Sequence, residues 1–124
     1  MQQQLRTALI VEDEIETAEM LAEMMSLSGY QVKKSFGGAS SIHLISRSQP
    51  DILLLDVMMP DLSGLEILRY VRRDPALTHI PVIVISAKSL PKDIEEGFGA
   101  GANAYLTKPV AYLDLHMTVT RLLS

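Results

Sequence analysis

Cysteine is absent from the 124 residues, which excludes a disulfide framework and thiolate chemistry and points to a cytoplasmic protein. No apolar run approaches the roughly 20 residues needed to span a bilayer. Met1 to Arg6 also lacks the apolar stretch of a secretory signal, so no membrane association is expected. Positive charge is in deficit: 11 Lys and Arg stand against 15 Asp and Glu, a formal net charge of -4 with a pI near 5.3. Nothing in that balance draws the chain to nucleic acid phosphates, and direct nucleic acid binding is not expected. His43, His79 and His116 lie on different segments with no ligand-like spacing, which argues against a histidine metal site. Repeats, low-complexity tracts and linkers are missing too. The length suits one domain, divided into a polar tail over 1–6 and a folded unit over 7–124, and a hydrophobic share of 48% is too high for a disordered segment.

What the chain does have is a rhythm. Short β-branched or leucine-rich runs alternate with longer stretches whose apolar residues recur at helical spacing, the pattern of βαβ units. Ile15, Ala18, Leu21, Ala22 and Met25 mark one face of a first helix, and Gly29 stands where a left-handed cap would end it. Residues 30–35 read as a more polar strand, suited to a sheet edge. Ser40 or Ser41 is placed to N-cap a second helix carrying Ile42, Leu44 and Ile45, closed at Pro50. The runs at 52–55 and 82–85 are apolar on both faces, as central parallel strands covered by helices must be. Leu65, Leu68 and Val71 give a third helix its inner face, and Asp74-Pro75 ends it. Arg72-Arg73 reads as a solvated helix end that complements the dipole. A glycine-interrupted helix around Ile94 and Phe98, a strand at 104–107 and a last helix through Leu113, Met117, Thr120 and Leu123 complete the chain.

Polar residues punctuate the strands at one end. Glu12-Asp13 follows the first, Asp56 the third, Ser86 the fourth and Lys108 the fifth. In an open parallel sheet those ends meet in one crevice, where α/β folds bind ligands. Carboxylates packed a few ångströms apart repel and partly protonate unless a cation holds them together. A hard divalent ion answers that need: Mg²⁺ takes oxygen ligands, commonly one or two carboxylates plus a phosphate, which suits Asp13 and Asp56.

Four segments in order carry a likeness: Leu9-Ile10-Val11-Glu12-Asp13-Glu14, Asp56-Val57-Met58-Met59-Pro60-Asp61-Leu62-Ser63-Gly64, Val84-Ile85-Ser86-Ala87 and Tyr105-Leu106-Thr107-Lys108-Pro109. By them the chain resembles, over nearly its whole length, the receiver domain of bacterial two-component response regulators. The resemblance implies a doubly wound, flavodoxin-like α/β fold with five βα units and a parallel five-stranded sheet in the order 2-1-3-4-5. It implies Asp56 as phosphoacceptor, supplied by a sensor histidine kinase, a phosphotransfer protein or a small phosphodonor. Mg²⁺ would be held by Asp13, Asp56 and the backbone carbonyl of Met58, with Glu12 acting through water. Lys108 and Ser86 would stabilise the transferred group, and Ser86 with Tyr105 would switch the face built by the fourth helix, fifth strand and fifth helix. That face would control a downstream output domain or protein, with a homodimer as a possible arrangement. Met58 and Lys88 stand where the family tunes loss of the phosphoryl group, and the Lys108-Pro109 peptide is expected to be cis.

Plainer readings stand beside these. Taken singly, Asp13 fits a helix N-cap, Asp56 and Ser86 fit turn residues, Lys108 a solvated lysine and Tyr105 a packing aromatic. Rival functions are also definable. An aspartyl phosphatase would want a second aspartate at position 58, where methionine stands. A flavin module would want small hydroxyl residues after the first strand, where Glu12-Asp13-Glu14 repels phosphate. A degenerate receiver serving only as an interaction surface would lack its nucleophile or lysine, and this chain has both.

Overall fold

A computed structural model describes residues 5–124. The elements alternate throughout: β1 (Thr7–Val11), α1 (Ile15–Leu27), β2 (Gln31–Ser35), α2 (Gly38–Ser48), β3 (Ile52–Asp56), α3 (Gly64–Arg73), β4 (Val82–Ser86), α4 (Pro91–Ala100), β5 (Ala104–Thr107) and α5 (Tyr112–Leu123). The five strands are parallel and ordered β2-β1-β3-β4-β5, the order the resemblance implied. Every residue of β3 and β4 is buried, because successive side chains leave a strand on opposite faces and both faces are covered. Leu9, Leu53, Leu55, Val82 and Val84 pack with Ile45 of α2 and Leu65, Leu68 and Val71 of α3. Ile10, Ile52, Leu54, Ile83 and Ile85 pack on the other side with Ala18, Leu21 and Met25 of α1 and Leu115 and Val119 of α5. Among the described residues no helix is long and apolar enough to cross a membrane.

Of the polar tail expected over 1–6, residues 1–4 lie outside the described residues, and Arg6 donates from Nη1 to the Leu123 carbonyl at the end of α5. Several local expectations need correction. Ile15 opens α1 but is exposed, so the buried face of the helix starts at Ala18. Neither Ser40 nor Ser41 caps α2: the cap position is Gly37, and both hydroxyls lie inside the first turn, donating back to its carbonyl. The capping acceptor comes from another loop, where the Asp61 carboxylate receives the N–H groups of Gly38 and Ala39, each at 3.0 Å. Those N–H groups hold the Asp61 carboxyl below the usual aspartate range.

In α5 the residues at Leu113 and Met117 are 62% and 60% exposed, and Leu115 and Val119 turn inward instead. Gly29 and Gly101 have positive φ, 94° and 115°, and Gly101 ends α4 in the left-handed region, outside the helix that the sequence reads as interrupted by glycine.

Arg72 is no solvated helix end. Its Nε donates to the Gly101 carbonyl at 2.9 Å, Nη1 to the carbonyls of Thr78 and Ile80 at 3.0 and 2.7 Å, and Nη2 to Asn103 Oδ1 at 2.8 Å. Asn103 Oδ1 also accepts from the N–H of Val82 at 2.8 Å. One guanidinium thus ties the ends of α3 and α4 to the starts of β4 and β5.

Candidate functional site

The register decides which side chains meet. Val11 lies opposite Leu55 in the β1–β3 pair, so Glu12, one residue beyond β1, comes level with Asp56 at the end of β3. Ser86 ends β4 opposite Thr107 of β5, which carries Lys108 to the same edge. β1 and β3 are neighbours whose following helices leave to opposite faces, and that divergence opens a crevice.

Carboxylate oxygens of Glu12, Asp13 and Asp56 lie within 4.8 Å of one another, with Glu12 only 1% and Asp56 4% exposed. Lys108 Nζ stands among them, 2.7 Å from Glu12 Oε1 and 3.5 Å from both Asp56 Oδ2 and Glu14 Oε1. Asp56 Oδ1 accepts from the Met58 N–H at 3.2 Å, and Glu12 Oε2 from the Glu14 N–H at 3.1 Å. Glu12 Oε1 is buried and has the Lys108 ammonium as its partner, paired by charge in a geometry that does not make a regular hydrogen bond. Burial raises the Glu12 carboxyl above its usual range, opposed by Lys108 and the Glu14 N–H and helped by Asp56. Burial works against the Lys108 charge, but Glu12, Asp56 and Glu14 outweigh it and leave its pKa raised.

An open cavity of about 360 Å³ lies over these groups, lined by Asp13, Glu14, Asp56, Met58, Ala87 and Lys108. Met58 is 52% exposed at its rim. Asp13 does not cap α1: the cap position is Glu14, with no side-chain bond to the helix. Glu14 stands outside the expected ligand set, yet it lines the cavity and faces Lys108; its signal in the sequence is the run of three acids. The Lys108-Pro109 peptide is cis.

Ser86 and Tyr105 stand apart from the cavity lining. Ser86 is buried, and its Oγ accepts from the Lys88 N–H at 3.1 Å. Tyr105 donates its hydroxyl to the Lys88 carbonyl at 2.7 Å. Lys88 thus enters through its backbone, held by one hydroxyl on each side, while its side chain is exposed. The donor set fits a hard divalent cation: three convergent carboxylates, with no histidine or cysteine in the cluster among the described residues.

The family model described as the response regulator receiver domain matches residues 8–120. The polar-differentiation response regulator DivK of Brucella anthropi is 31% identical over 106 residues, 86% of each chain. The signal receiver domain of a signal transduction histidine kinase from Syntrophus aciditrophicus superposes with a TM-score of 0.87 at 34% identity, covering 95% of this chain and 89% of that one. The chemotaxis protein CheY4 of Vibrio cholerae superposes with a TM-score of 0.90 at 26% identity, covering 97% and 100%.

Proposed function

Because the chain belongs to the response regulator receiver domain family, a signalling module with a kinase partner rather than a conventional enzyme, we propose that Asp56 is its phosphoacceptor. The observation that carries this reading is a buried aspartate at the cavity with Lys108 Nζ 3.5 Å away and two further acids beside it. An Asp56 oxygen attacks phosphorus, the bond from phosphorus to the donor's imidazole nitrogen breaks, and the leaving imidazole takes up a proton. The product is an acyl phosphate. Asp13, Asp56 and the Met58 carbonyl would hold Mg²⁺, with Glu12 in its water shell, and the ion when bound neutralises charge on the phosphoryl oxygens.

The chain's own groups do the rest. Lys108, already paired with Asp56, transfers its ion pair to a phosphoryl oxygen. Ser86 leaves the Lys88 N–H and turns its hydroxyl to the same group, and Tyr105 follows. The switch acts as a population shift, driven only by the difference in interaction between the two conformers. It alters the cleft between α4, β5 and α5, lined by residues that include Ile94, Leu106 and Asp114, where an output domain, a separate protein or a second copy would read it. Met58 at the rim shields the phosphoryl group, and Lys88 bounds the path of attacking water. The donor is a sensor histidine kinase or a phosphotransfer protein, and the setting cytoplasmic. A degenerate, interaction-only receiver is disfavoured because Asp56 and Lys108 are both present and adjacent.

Incubation with Mg²⁺ and acetyl phosphate tests the reading. A base-labile phosphoryl mass on Asp56, absent from Asp56→Asn, is expected; no such mass on the wild type would overturn it.

A further inference from the structure

We infer that Gly97 is a positioning residue for the switch: the missing Cβ at this point of α4 lets the Tyr105 ring lie against the helix while its hydroxyl reaches the Lys88 carbonyl. A Cβ at position 97 would sit 2.8 and 2.9 Å from Cδ2 and Cε2 of that ring, closer than carbon atoms pack. Glycine inside a helix is about 1 kcal/mol less favourable than alanine, so a buried glycine in mid-helix calls for a packing reason. Tyr105 supplies one at position 97. Gly99, two residues further along the same helix, would place its Cβ in open space, and no neighbour requires a glycine there.

A continuous route follows from the contacts. Ser86 Oγ holds the Lys88 N–H, the Tyr105 hydroxyl holds the Lys88 carbonyl, and the Tyr105 ring rests on the α4 backbone at Gly97. The β4–α4 loop and the helix therefore share one aromatic side chain, and the fit at Gly97 sets how well the ring stays seated. The inference rests on the reading of Tyr105 as a switch residue. Coupling between sites is reciprocal, so a change that unseats the ring in one conformer more than in the other must change the affinity for a phosphoryl mimic at Asp56.

Calorimetric titration of the full chain with beryllofluoride in Mg²⁺ tests this, alongside fluorine NMR of the metal-free protein labelled with fluorotyrosine. Gly97→Ala is expected to change beryllofluoride affinity about fivefold and to move the Tyr105 resonance. Gly99→Ala should do neither. In a Tyr105→Ala background, Gly97→Ala should have no further effect on affinity. Should Gly97→Ala be unstable, the Tyr105→Ala background should restore its urea midpoint, and failure to do so overturns the inference. A Gly97→Ala protein that matches Gly99→Ala, or an effect that persists without the Tyr105 ring, also overturns it. If Tyr105→Ala alters the affinity while Gly97→Ala does not, only the inference fails. If Tyr105→Ala binds as wild type does, the switch reading fails with it.

Discussion

The two ends of the sheet each hold a cationic side chain, in opposite circumstances. At the base, the Arg72 guanidinium donates to three carbonyls and an amide oxygen, all neutral and all aligned. At the crevice, Lys108 is shared among three carboxylates, so that one ammonium must serve more charge than it can neutralise, and even the nearest oxygen, Glu12 Oε1, is held by charge rather than by a regular hydrogen bond. A buried polar group whose partners are complete contributes to stability, whereas one left incomplete marks a place where the fold tolerates strain for the sake of chemistry. The base is built to stay as it is. The crevice is built to accept charge from outside.

If that contrast is right, substitutions at the two ends should separate stability from ligand response. The largest stability loss should come from Arg72→Ala, which strips several carbonyls of a charged donor and should cost about 3 kcal/mol in urea unfolding. Its beryllofluoride affinity, measured on the folded protein, should stay close to that of wild type; a large loss would erase the distinction between the ends. Lys108→Ala should reverse the pattern. Acetyl phosphate should still label Asp56, but the Tyr105 resonance should no longer respond, and a full response would remove Lys108 from the switch.

Acidity gives a finer contrast. The Glu12 carboxyl is raised above 4.5 in the folded chain, so between that value and the raised one the native state holds more protons than the unfolded state. Stability of the metal-free protein should therefore fall as pH rises through that window. Glu12→Gln should remove that part of the slope, and Mg²⁺ should offset it by favouring the ionised carboxylate. Equal slopes in wild type and Glu12→Gln, without metal, would contradict the assignment. The smallest expected effect is kinetic: Met58→Asn should release phosphate severalfold faster by admitting water at the rim, and an unchanged or slower rate would defeat the shielding role of Met58.

The sheet was legible because burial on both faces leaves an unbroken apolar run, as at 52–55 and 82–85, and because its strands end in polar residues. The helix faces were less so. In α5 the apolar residues Leu113, Leu115, Met117 and Val119 alternate with polar ones, a spacing that marks no single helical stripe, and only packing in the core shared with α1 and the sheet selects Leu115 and Val119. The Asp61 cap on α2 and the Arg72 clamp escaped for a shared reason: both bind backbone groups distant in sequence, and backbone partners leave no trace in residue spacing. The acids of the crevice were visible as a set, since four strand ends converge. The exception, Glu14, became distinct only through its distance to Lys108.

Gly64 starts α3 so close to the phosphoacceptor that a Cβ there would lie 2.0 Å from the Asp56 carbonyl oxygen. Any larger residue must displace the main chain beneath the reactive carboxylate. In a library randomised at the rim, Glu14 and Met58 offer open positions for rewriting donor preference or signal lifetime, while position 64 should return glycine alone. The freedom to diversify this module is thus bounded by a helix that begins in contact with its reactive residue.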